Sequence, residues 1–143
     1  MKRFIIVLCV ALFSINSFAL DNVEKHYVDL MLKGDLRSLK VAAKRIRSAH
    51  ITNTQVLDVA AEVLLQTYPS TYKAQLDTLS WLAHALGQSG NGRYFNVLNE
   101  VAEKTTFKKL RRHAKKARKR MGGGADVPQY KLGMKKVKVP RYY

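Results

Sequence analysis

Four histidines, at positions 26, 50, 84 and 113, are the first side chains in this 143-residue chain that could do chemistry. No two of them have the spacing of a helical metalloprotease pair. The one cysteine, Cys9, cannot make an intramolecular disulfide or a cysteine-based zinc site. Asp77, Ser80 and His84 stand at i, i+3 and i+7, the register of one helix face. A hydrolytic triad must converge on one reacting atom beside an oxyanion site, and side chains strung along one helix diverge. A solvated polar flank is therefore expected there, and turnover abolished by Ser80→Ala would be the sign of the opposite. Glu62 and Glu100 share an offset in the first helices of successive helix pairs and are expected as exposed charges with cationic neighbours. Gly87, Gly90 and Gly92 follow no strand and precede no Lys-Ser/Thr, so they are expected as turn residues and not as a phosphate loop. No catalytic, cofactor-binding or metal-ligating residue is expected.

The stronger signal is charge. The chain holds 26 Lys and Arg against 10 Asp and Glu. Residues 20–104 are nearly balanced, whereas 105–143 hold fourteen cations and a single acid, Asp126. The run KKLRRHAKKARKR, 108–120, has nine cations and no acid. So uneven a field speaks of an anionic partner and says nothing of fold.

The elements that must carry these charges are helices. Apolar residues recur at offsets 0, 3, 7 and 10 in three stretches: Leu36, Leu39, Ala43, Ile46; Leu76, Leu79, Ala83, Leu86; Phe107, Leu110, Ala114, Ala117. Each is preceded by a second seam at offsets 0, 3, 4, 7 and 8, beginning at Val23, Val56 and Tyr94. Gly34 ends the first helix and Asp35 caps the second, while Thr52 with Gln55 reads as a capping box for the third. Pro69-Ser70 breaks the chain before the fourth helix, residues 87–92 separate the fourth from the fifth, and Thr105 or Thr106 caps the sixth. Gly122-Gly123-Gly124 stops it. An alanine at offset 7 in every second helix permits close approach, so Ala43, Ala83 and Ala114 are the expected crossing points.

With Leu110, Ala114 and Ala117 turned inward, the cations of 108–120 must face water. The second helix repeats the pattern: Arg37 matches Lys108, Lys40 matches Arg111, Lys44 matches Lys115, Arg45 matches Lys116 and Arg47 matches Arg118. The middle helix places Asp77, Ser80, His84, Ala85 and Gly87 at those offsets. The expected contacts for an anionic partner are Arg37, Lys40, Lys44, Arg111, Arg112, Lys115, Arg118 and Lys119. The segment 122–143, basic with Tyr130, Tyr142 and Tyr143, is expected as a flexible basic tail, mobile or docked along the last repeat.

The stretches LRSLKVAAKRI, LDTLSWLAHALGQSGNGRYFNVLNEVAEK and FKKLRRHAKKAR resemble HEAT-type (armadillo-like) helical repeats. In that family the second helix of each pair carries a Leu-x-x-x-Ala-x-x-Leu-like seam. A tetratricopeptide array fits less well, because Trp81 lies within a second helix. The resemblance covers about residues 21–121 and implies an all-α fold. Its form would be a short right-handed α-solenoid of about three HEAT-like pairs over 20–121.

Residues 1–19 begin with Lys2 and Arg3, continue through an apolar run from Phe4 to Phe13 and end with Ser17 and Ala19 in small-residue positions. This is the pattern of a secretory signal peptide cleaved after Ala19. The expectation is an exported, periplasmic binding or scaffold module without catalysis. Its partner would be an acidic protein or an anionic envelope surface, the membrane surface included. A structural subunit of an envelope assembly is the alternative, and nucleic acid becomes the first choice if the leader is not a signal.

Overall fold

A computed structural model describes residues 20–124 and 126–143, and the expected signal segment 1–19 lies outside the described residues. Regular structure among them is helical: α1 (Asn22–Leu32), α2 (Leu36–Ser48), α3 (Thr54–Thr67), α4 (Leu76–Gln88), α5 (Phe95–Lys104) and α6 (Lys108–Arg120), with single 3-10 turns at Tyr68–Ser70, Lys73–Gln75 and Gly92–Tyr94. The six helices follow the six seams.

Local chemistry sets the ends. Asp21 and Glu24 form a reciprocal capping box on α1, and the Glu24 carboxylate also accepts from the Asn53 amide at 2.8 Å. Asp35 accepts the Ser38 N–H at 2.7 Å, as its position before α2 predicts. The cap of α3 is Asn53, accepting from the Gln55 N–H at 2.9 Å, in place of the expected Thr52. Asparagine is the better N-cap, and such a cap contributes about 0.5–2 kcal/mol. Neither Thr105 nor Thr106 caps α6. The N-cap is Phe107, and the buried Thr105 accepts its N–H at 3.4 Å instead.

Each helix packs on its sequence neighbour, α1 on α2, α3 on α4 and α5 on α6, while α2, α4 and α6 contact one another in series. α3 also touches α1 and α5. Leu39, Ala43 and Ile46, then Leu79, Ala83 and Leu86, then Leu110, Ala114 and Ala117 are all fully or almost fully buried. A further close contact is made by Gly87, which lies inside α4 and not in the turn. A Cβ at this position would stand 2.7–2.8 Å from the carbonyl oxygen, Cα and Cβ of Ala117. Here the backbones of α4 and α6 leave no room for a side chain between them.

The segment 126–143, expected as a flexible tail, is laid along the body and anchored in it. Tyr130 and Tyr142 are each 2% exposed. The Tyr142 hydroxyl donates to the Met31 carbonyl, and the Tyr142 carbonyl accepts from Tyr72 Oη and Gln75 Nε2, both at 2.9 Å. The Tyr143 carbonyl accepts the Leu36 N–H at 3.3 Å. Nearer α6, the Tyr130 N–H donates to the Arg93 carbonyl and the Gln129 amide spans the carbonyls of Gly92, Gly124 and Val127. The chain thus runs from α6 back to the α1–α2 corner.

This strap explains why α3 is buried almost all round. Glu62, expected as an exposed charge, is 1% exposed. Its carboxylate accepts from Tyr130 Oη at 2.5 Å, the Gly133 N–H at 2.9 and 3.1 Å, and Gln66 Nε2 at 2.7 Å. A buried carboxylate is tolerable only when its lone pairs are satisfied, and the strap supplies the donors.

Candidate anion-binding face

The face formed by α2, α4 and α6 carries most of the predicted contacts, and Asp77 of α4 is its hub. Lys40 of α2 reaches the Asp77 carboxylate at 2.5 Å and Lys109 of α6 reaches it at 3.5 Å. The hydrogen bond from Lys40 is the main cause holding the Asp77 carboxyl below its usual range. All three side chains are near half exposed, so each pair contributes only about 0.2–1 kcal/mol. What the hub does is register three helices with one negative charge.

On one side of it, Lys44 Nζ and the Arg47 guanidinium lie 4.9 and 5.3 Å from the centroid of the Trp81 ring. Cation–π attraction of about 0.5–1 kcal/mol each holds them there. With Arg45, Ser48, His50 and Gln88 they border a hollow of about 410 Å³. On the other side, Lys108, Arg111, Arg112, Lys115, Lys116 and Lys119 border a second hollow of about 330 Å³ along α6.

Between the two, His84 Nε2 and His113 Nδ1 share a hydrogen bond at 2.8 Å, their rings edge to face with centroids 4.9 Å apart. The His84 Nδ1 atom is buried without a hydrogen-bond partner. Burial, followed by His113 and the cations Arg120, Arg47 and Lys116, pushes His84 down to about 4. Burial and then Arg112 lower His113 as well. Both rings are neutral at pH 7, so the positive charge of the face comes from Lys and Arg.

The predicted contacts divide by their surroundings. Arg37, Arg112, Lys115 and Lys119 are exposed and, among the described residues, lie in no ion pair. Lys40 is tied to Asp77, and Lys44 rests on Trp81. Arg111 donates to the Thr105 carbonyl at 2.7 Å, and Arg118 donates to Asn99 and lies 5.9 Å from the Phe95 centroid. These two half-buried arginines brace α6 against α5 and the preceding turn. The residues that sequence reasoning left out of the set are Arg45, Arg47, His50, Trp81, Lys108 and Lys116. Trp81 carried a signal, being a large aromatic at a seam edge between two cationic helices.

The acid–hydroxyl–histidine series is dispersed. Asp77 pairs with lysines, the buried Ser80 hydroxyl donates to the Leu76 carbonyl at 2.7 Å, and His84 faces His113. Glu100 accepts from Tyr68 Oη at 2.7 Å and forms an ion pair with Lys104 at 3.7 Å, while Glu62 serves the strap. Among the described residues, no group of three His, Cys, Asp or Glu side chains could hold a metal ion. No family model, no curated protein and no solved structure matches this chain.

Proposed function

We propose that the protein is a non-catalytic binding or scaffold module that holds an anionic partner on its α2–α4–α6 face. In this reading the three stacked helix pairs are a short right-handed HEAT-like solenoid, exported by residues 1–19 to the periplasm or cell envelope. The partner is an acidic protein or a phosphate-bearing lipid or polysaccharide. One observation carries the reading: α2 and α6 crowd cations onto a single face around one acid, Asp77, and several of those cations are left exposed to water. Like charges at such spacing repel within a Debye length of about 8 Å, and an anion relieves that repulsion. Arg111 and Arg118 stiffen the helix and Lys40 is held by Asp77, so the contact residues proper are Arg37, Lys44, Arg112, Lys115 and Lys119.

The test is binding of the purified protein to immobilised polyphosphate across a salt series. Affinity should fall steeply with salt, and Lys115→Glu with Lys119→Glu should lower it by about tenfold or more. Binding that ignores salt and the charge reversal would remove the face from the account.

A further inference from the structure

The strap carries a second basic feature, on the α3–α5 side of the molecule. Residues 131–134 make a tight turn in which the Met134 N–H donates to the Lys131 carbonyl at 3.1 Å. Gly133 sits at φ +83°, the left-handed conformation that the third residue of a type II turn requires. Its N–H is held by both oxygens of the buried Glu62 carboxylate, at 2.9 and 3.1 Å. Tyr130 Oη donates to the same carboxylate and accepts the Lys135 N–H at 3.0 Å, locking both sides of the turn. What this buried, expensive anchor presents to water is apolar: Leu132 is 61% exposed and Met134 52% exposed. Lys131, Lys135, Lys136 and Lys138 are their neighbours in sequence, and none is in an ion pair among the described residues.

We infer that the 131–136 turn is a docking tip for an anionic phospholipid surface, its two apolar side chains entering the headgroup region while the lysines meet lipid phosphates. A pinned turn that exposes two apolar side chains beside several lysines suits a deformable, negatively charged interface. Among the described residues no helix is long and apolar enough to cross a membrane. The inference stands apart from the α2–α4–α6 face and uses none of its residues.

Co-sedimentation of the full chain with vesicles of phosphatidylglycerol and phosphatidylcholine, against pure phosphatidylcholine vesicles, tests it. The chain should bind the mixed vesicles, and Leu132→Ser with Met134→Ser should weaken that binding by about tenfold or more although every lysine remains. The melting temperature of this double variant should change little, since both side chains are more than half exposed and Met134 gives only a sulfur acceptor to the Lys131 N–H. Lys115→Glu with Lys119→Glu should leave the effect of the tip substitutions in place, which separates the tip from the α6 face. Undiminished vesicle binding by the tip variant, equal binding to neutral vesicles, or no vesicle binding would each overturn the inference. An equal loss of binding to polyglutamate beads by the tip variant would assign the turn to an acidic protein and overturn it too.

Discussion

α6 and the strap that follows it are both strongly basic, yet they are organised in opposite ways. α6 buries a thin line of Leu110, Ala114 and Ala117 and turns most of its cations to water. The strap has no periodic seam and holds on through single residues, Tyr130 and Tyr142, each inserted into the body of the protein. Local periodicity places α6, and contacts 68 and 111 residues away in sequence place the strap. Charge density therefore says little about order. Whether a basic segment is fixed depends on a few apolar anchors and on the buried groups waiting for them.

The comparison can be broken most forcefully at Tyr142. Tyr142→Ala removes a buried ring and the hydrogen bond to Met31, and should cost about 3–5 kcal/mol of strap docking. Trypsin should then cut at Lys135 to Arg141 well before it cuts α6, and equal cleavage rates in variant and parent would contradict the anchoring. A smaller loss is expected within the helices. Gly87→Val forces side-chain atoms into the Ala117 backbone and should cost about 3 kcal/mol, at or above the loss from Ala83→Leu, which thermal melting measures.

Acidification sharpens the contrast from the side of the helices. His84 titrates near 4 in the folded protein against 6.5 in the unfolded chain. Between those values the unfolded state binds more protons, so the stabilisation is full above about 6.5 and is lost as pH falls to about 4. Allowing for partial solvent screening, the loss should be about 1–2 kcal/mol. Melting curves at pH 7 and pH 4 should show it, and His84→Gln should reduce the difference, the lowered His113 and Asp77 keeping the remainder. The smallest effect belongs to the exposed ridge: Lys115→Ala with Lys119→Ala should change stability by no more than about 0.5 kcal/mol while weakening polyphosphate binding.

How much could be read in advance follows the same division. The six helices, the burial of Ala43, Ala83 and Ala114, and the Asp35 cap follow from patterns within a dozen residues. Asn53 displaced Thr52 because both residues are competent caps and the choice depends on one residue of register. Gly87 reads as a turn residue because nothing local distinguishes a glycine that breaks a helix from one that admits a neighbouring backbone. Glu62 did give a signal, a carboxylate in the middle of the apolar run VAAEVLL, and the tyrosines in an otherwise polar tail gave its counterpart. Pairing them requires knowing that the chain returns over α3, which no spacing encodes. Among the proposed contacts, exposure was legible from helical phase, but the bracing roles of Arg111 and Arg118 depend on Thr105 and Asn99 in other elements.

A row of helix pairs that touch only their neighbours can fray from either end, one pair at a time. The strap joins the last pair to the first, through Tyr142 against Met31 and Tyr143 against Leu36. Peeling either terminal pair then costs contacts at the other end as well. The three pairs should consequently lose structure in one concerted step, with backbone amides of α1 and α6 exchanging with solvent at rates close to those of α3 and α4.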